Sequence, residues 1–205
     1  MEGRRLHELE KIAKEIRKKG ANNKYDCFLG LSGGLDSSYM LHYVVTELGL
    51  RPLVFHVDTG WNSKDAVENI YNLVTKLNLD LQVKVIDWDE MRELQLAFFR
   101  SGLSNIDVPQ DHAFMATLYD FAEDNNIKYL LNGGNISTEA LSVPLEWMYY
   151  QSDSRQVKDI HKKFGTIPLK KYQLTNILWH KVYLPYVKGI KVIRPLDYMP
   201  YDKEK

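Results

Sequence analysis

Residues 28–38, "FLGLSGGLDSS", set an apolar run against a Gly-Gly pair, an aspartate and three serines. Residues 25–31 have the short, aromatic and aliphatic character of a buried parallel strand. Behind the loop, "DSSYMLHYVVTELG" places Tyr39, Met40, Tyr43 and Val44 on one helical face. The loop is therefore expected at a strand-to-helix turn. Glycines there let the backbone approach a ligand, and the first amides of the helix are unpaired donors at its positive end. That combination is an anion cradle. Ser32, Ser37 and Ser38 add hydroxyls, while Asp36 can cap the helix or hold a cation.

The rest of the chain bounds what such a loop serves. With 205 residues, 44% hydrophobic and 26% charged, the composition is that of a soluble globular protein with one sizeable core. Its single cysteine, Cys27, lies inside the first strand. This excludes a disulfide framework and a cysteine metal site, and fits a reducing cytoplasm. No apolar run has signal-peptide or membrane-span length, so no membrane role is expected. Residues 1–20 read as a charged amphipathic helix with Leu6, Leu9, Ile12 and Ile16 inward. Net charge is zero but unevenly placed: residues 1–150 carry 15 basic and 22 acidic side chains, residues 151–205 carry 12 and 5. The basic segment expects an anion, whether nucleic acid, a small substrate or an acidic partner, or is a solvated face.

Strands alternate with helices along the chain. "RPLVFHVDTGW" reads as a second buried strand ending at Asp58, followed by a helix with Val67, Ile70, Val74 and Leu77 on one face. "LDLQVKVID" is a third strand and "DEMRELQLAFFRSG" a helix. "DHAFMATLYDFAEDNN" reads as a helix started by Asp111 and stopped by Asn125 and Asn126, and "IKYLLNGGN" as a strand. The pattern predicts an α/β fold, a Rossmann-like parallel sheet with helices on both faces. Ligands of such sheets bind beyond the carboxyl ends of the strands, where Asp36, Asp58, Asp87 and Asn135 fall. The expected organisation is an N-terminal helix (1–20), an α/β domain (21–145) and a basic, mainly helical, substrate-facing segment (146–205) closed by a strand in "IKVIRPL".

The string "SGGLDSS" resembles the PP-loop of the ATP pyrophosphatase superfamily, whose S-G-G-x-D-S turn grips the pyrophosphate part of ATP. It lacks the lysine of a Walker loop and the spacing of a dinucleotide fingerprint. The resemblance implies cleavage between the alpha and beta phosphates, with adenylation of a substrate oxygen. Residues 132–139, "NGGNISTE", read alone as a Gly-Gly turn with a helix cap at Ser137 or Thr138. They are also similar to the G-T-x-N-x-S-E segment of ammonia-dependent NAD synthetases. That similarity implies that Glu139 and Asp36 hold magnesium, an ion content with one or two carboxylates plus phosphate. Ser32, Gly33, Gly34, Asp36, Ser37, Ser38, Asp58, Gly133, Gly134 and Asn135 are the expected ATP-binding set.

Five stretches, "YDCFLGLSGGLDSSY", "IDVPQDHAF", "YLLNGGNIST", "IHKKFG" and "YDKEK", together resemble the N-acetyl sugar amidotransferases of bacterial surface-polysaccharide biosynthesis, the WbpG and PseA type. The resemblance implies conversion of a sugar acetamido group to acetamidino, with a sugar nucleotide as substrate. Ammonia would come from a HisH-like glutaminase through a HisF-like channelling protein. Members of that family commonly begin with a cysteine-rich segment and continue beyond the "YDKE" element, so this chain reads as an excised domain or a shorter relative. A homodimer is compatible with this reading.

Further candidates follow. Asp111 and His112 read either as a cap beside a packing residue or as an acid–base pair for ammonia or the amide. Lys170 and Lys171 are solvated cations or neutralise charge on leaving pyrophosphate. Arg194 grips a carboxylate or diphosphate, or pairs with a local acid. Trp147, Tyr149 and Tyr150 form packing or a stacking surface. Two other functions compete. An RNA-modifying PP-loop enzyme is favoured by "VIRPL" and the basic end, but opposed by zero net charge and the lone cysteine. A nucleotide-binding domain without chemistry keeps the same loop.

Overall fold

Strand and helix alternate through most of the chain, in the order α1 (Glu2–Gly20), β1 (Cys27–Gly30), α2 (Leu35–Thr46), β2 (Pro52–Asp58), α3 (Lys64–Lys76), β3 (Leu81–Val85), α4 (Trp88–Ser101), α5 (Val108–Asp124), β4 (Tyr129–Leu131), α6 (Ser154–Phe164) and β5 (Lys191–Ile193). A π-helical stretch, Trp179–Val187, precedes β5, and a 3-10 turn, Pro195–Tyr198, follows it. This computed structural model describes residues 2–135 and 149–201. No helix among them is long and apolar enough to cross a membrane.

All strand pairs are parallel, in the order β3-β2-β1-β4-β5. The chain steps outward from β1 to β3, then returns to the other side of β1 to lay down β4 and β5. The order therefore reverses between β1 and β4, and that crevice is where sheets of this kind take ligands.

Strand side chains alternate between two buried layers, as the two-residue period requires. Cys27, Leu29, Val54 and Leu131 pack with Leu9 and Ile16 of α1, Met40 and Val44 of α2, and Ile70 and Val74 of α3. Phe28, Phe55, Val57 and Leu130 face the other way, onto Leu94 and Phe98 of α4, Leu118 of α5 and Val157 of α6. The basic segment drawn from 146 onward thus shares both sheet and core with residues 21–145, because β5 pairs with β4 and α6 packs into the second layer.

Two expectations shift in detail. In α2 Met40 and Val44 are fully buried and Leu41 joins them, whereas Tyr39 remains 39% exposed at the layer's margin. Helix α5 starts at Val108 rather than Asp111, with Asp107 as its N-cap residue and Pro109 in the first turn. A proline there has a preset φ and needs no N–H partner. Asp111 consequently sits inside the first turn, where a carboxylate faces the positive end of the helix.

A buried carboxylate fastens the loop after α6. Glu90 of α4 accepts the backbone N–H groups of Lys170, Lys171 and Tyr172 at 2.7–3.0 Å. Burial opposes its ionisation, but these donors win and hold the carboxyl below its ordinary value of 4.5. Glu93, one turn on, accepts the Thr166 N–H.

Phe28 is fully buried at the sheet centre, with ring centroids 5.2 Å from Phe55 and 5.3 Å from Phe121. Phe28→Ala is expected to cost about 3–5 kcal/mol. Urea unfolding followed by circular dichroism measures it; a loss under about 1 kcal/mol would contradict this placement of the core.

Candidate functional site

β1 ends at Gly30 and α2 begins at Leu35, so four residues make the turn. Hydroxyls fold it: Ser37 Oγ donates to the Gly34 carbonyl at 3.2 Å and accepts the Ser32 N–H at 3.2 Å. Ser32 Oγ lies 2.9 Å from Ser37 Oγ and accepts the Gly34 N–H at 3.3 Å. Gly34, at the N-cap position, offers no side-chain cap to α2. The helix dipole therefore opens towards whatever lies in front of it.

Glycine is needed here for space as well as for conformation. Gly33 has φ 78°, and a Cβ there would collide with the Ala66 carbonyl of α3. A Cβ on Gly133, in the loop after β4, would lie 3.1 Å from Ser37 Cα. Backbones from β1–α2, α3 and the β4 loop thus converge on one point at the switch of strand order.

In front of that point lies a cavity of about 530 Å³. Ser32, Gly34, Asp36 and Ser37 form its floor, Gly133 and Gly134 one wall, and Gln110, Asp111 and Phe114 of α5 another. The end of β2 and its loop close it with His56, Thr59 and Asn62. The His56 ring is held on both sides: Nδ1 donates to the Leu31 carbonyl at 2.8 Å and Nε2 accepts from Asn62 Nδ2 at 3.1 Å. Thr59 Oγ1 donates to Gln110 Oε1 at 3.4 Å, tying this loop to α5. A glycine floor, hydroxyls and an open helix start suit a polyphosphate, and the volume suits a nucleotide-sized ligand.

Parts of the chain are similar to known proteins. Residues 26–103 match the family model of the phosphoadenosine phosphosulfate reductase domain. The chain is 34% identical over 86 residues to an uncharacterized protein of Methanocaldococcus jannaschii, covering 42% of this chain and 30% of that one. It is 29% identical over 136 residues to the glutamine-hydrolyzing GMP synthase of Thermosipho africanus, covering 61% of this chain and 24% of that one. The matches therefore span less than a third of these relatives. The solved U34-tRNA thiolase NcsA from Methanococcus maripaludis superposes with a TM-score of 0.50 at 15% identity, over 96% of this chain and 61% of that one. The fold is that of the PP-loop ATPases.

Within this PP-loop fold the expected residues separate. Ser32, Gly34, Asp36, Ser37, Asp111, Gly133 and Gly134 meet at the cavity. Gly33 supports the loop from behind. Ser38 borders a second hollow of about 370 Å³ on the far side, with Asn69, Asn72 and Lys76. The Asp58 carboxylate turns into its own loop, accepting from Gly60 N at 2.8 Å and Asn62 Nδ2 at 3.0 Å, so it shapes the wall. Asn135 is buried at the end of the β4 loop. Glu139 and Trp147 lie outside the described residues, among which no cluster of three or more His, Cys, Asp or Glu side chains is arranged for a metal.

Other candidates are placed away from the PP-loop. His112 is 0% exposed; Nδ1 donates to the Gln151 carbonyl at 2.8 Å and Nε2 accepts the Thr175 N–H at 3.0 Å. Both nitrogens are occupied, which corrects the acid–base expectation for this residue: it clasps the segment after residue 149 onto α5. Lys170 and Lys171 are not among the described residues lining the cavity. Their amides serve Glu90, and Lys171 Nζ pairs with Asp87 Oδ2 at 2.5 Å. Arg194 Nε pairs with Asp197 Oδ2 at 3.0 Å, the local-acid alternative. Conversely, His56, Thr59, Asn62, Gln110 and Phe114 escaped the sequence reading. A histidine inside the apolar run "LVFHVD" was the one visible signal.

The His112 clasp extends to His180, whose Nε2 lies 3.0 Å from Thr175 Oγ1. Burial, with the neighbouring His112 and Lys181, pushes His180 down to about 4 from 6.5, and burial also lowers His112. The unfolded chain therefore binds protons first, and stability full above pH 6.5 falls as pH drops towards 4. Replacing His180 with Gln is expected to shrink the fall in Tm between about pH 7.5 and pH 5 relative to the unaltered chain. An equal fall in both would contradict the assignment.

Proposed function

We propose that this protein is an ATP-dependent amidotransferase that releases AMP and pyrophosphate while converting a sugar acetamido group to acetamidino. The observation that carries the reading is the meeting of an open helix start, a glycine–serine floor and two aspartates, Asp36 and Asp111, at one cavity. Ammonia as nucleophile is supported by the match to a glutamine-hydrolyzing GMP synthase over 61% of this chain. Sugar as acceptor is supported by the five stretches that resemble N-acetyl sugar amidotransferases. A HisH-like glutaminase and a HisF-like channelling protein are the partners this reading calls for.

ATP, when bound, supplies the adenylyl group that activates the amide oxygen. The chain's own residues do the positioning. Ser32, Ser37 and the first amides of α2 would hold phosphate oxygens, and Asp36, with Glu139, would hold magnesium. Asp111, across the cavity, accepts a proton from the incoming ammonia or orients the amide. Asp36→Asn is expected to weaken magnesium-dependent ATP binding by about tenfold or more in calorimetry, the scale of one lost charged contact. Phosphorus NMR of a turnover mixture should show AMP and pyrophosphate; ADP and orthophosphate as main products would exclude the mechanism.

The RNA-modifying reading keeps one specific support, the excess of 12 basic over 5 acidic side chains in residues 151–205. Salt dependence separates the two. RNA neutralised by several cations loses affinity steeply with salt, whereas a sugar nucleotide touching two or three does not. We expect shallow-slope sugar-nucleotide binding and weak tRNA binding. Submicromolar, steeply salt-dependent tRNA binding without sugar-nucleotide binding would reverse the assignment.

A further inference from the structure

The chain returns to its own phosphate loop after β5. Pro195 and Leu196 are buried, Leu196 in the layer built by α1 and α2, and Tyr198 and Met199 pack against the same layer. This seats Tyr201 beside the start of α2. Its ring stacks on Tyr39 with centroids 5.3 Å apart, and its hydroxyl donates to Asp36 Oδ1 at 2.5 Å.

We infer that Tyr201 is a positioning residue for Asp36: its hydroxyl fixes one carboxylate oxygen so that the carboxylate keeps its place on the cavity floor. This rests on the reading of Asp36 as the magnesium-bearing group. A short Asp side chain on the first turn of a helix has several rotamers, and the helix itself does not select the one that lines the cavity. A charge-assisted hydrogen bond from a group anchored by stacking and by the buried turn before it does select it. The tyrosine lies 165 residues from the aspartate in sequence. Its contribution is visible only once β5 and the turn after it have brought the chain back over α2.

Tyr201→Phe keeps the ring and its stack on Tyr39 while deleting the donor, so the test does not depend on unseating the tail. ATP binding is measured by calorimetry with magnesium and, separately, with EDTA, for the unaltered chain and for Tyr201→Phe, with melting curves as a control on folding. The expected result is unchanged affinity in EDTA and an about three- to tenfold smaller gain on adding magnesium, the size of one hydrogen bond to a charged group. Equal losses in both conditions would show a merely structural role and overturn the inference. Unchanged affinity in both would overturn it too. If the unaltered chain binds no ATP in either condition, the functional reading itself falls and takes this inference with it. If it binds ATP without any gain from magnesium, the role of Asp36 falls while ATP binding stands.

Discussion

Three stretches of backbone meet at the start of α2, where a Cβ on Gly33 would clash with α3 and one on Gly133 would crowd Ser37. Gly33 lies against the Ala66 carbonyl and Gly133 against Ser37 Cα, so α3 and the loop after β4 pack directly on the turn between β1 and α2. This contact fixes the crevice between β1 and β4, and with it the position of every group that lines the cavity. Widening it by one methyl group at Gly33 would force α3 away, since the carbonyl it meets belongs to a helix and cannot yield as a side chain would. The site is thus a property of close-packed main chain first and of side-chain chemistry second.

Around that point the carboxylates divide by what they face. Glu90, Glu93 and Asp58 accept backbone N–H groups and shape loops, and Asp87 caps α4 while pairing with Lys171. Asp36 and Asp111 face the cavity. The acidic excess of residues 1–150 is therefore in part a set of internal anchors for turns. A carboxylate with several main-chain donors is stable when buried. The same division applies to histidine: His112 holds the segment after residue 149 to α5 and His180 braces Thr175 within that segment, while His56 braces the cavity wall between Leu31 and Asn62.

The alternation of short apolar strands with amphipathic helices was enough to determine a parallel α/β sheet, because period and run length are local properties. The string 32–38 was likewise enough to locate the glycine–serine turn at the start of α2: its glycines, hydroxyls and helix start are consecutive in the chain. Sequence alone left open the order of the strands, the partner of each charge and the burial of each polar residue, since these depend on contacts between segments far apart. His112 read as a candidate base beside Asp111, yet its ring is consumed by Gln151 and Thr175, 39 and 63 residues away. Lys170 and Lys171 read either as solvated cations or as partners of leaving pyrophosphate, and the loop that carries them is drawn down onto Glu90. Thr59, Gln110 and Phe114 had been given no role by the sequence and became cavity walls only because β2 ends beside the start of α5. Tyr201 reached Asp36 for the same reason: hydrophobic burial of Leu196 and pairing of β5 set its position, and neither is written in the residues next to it.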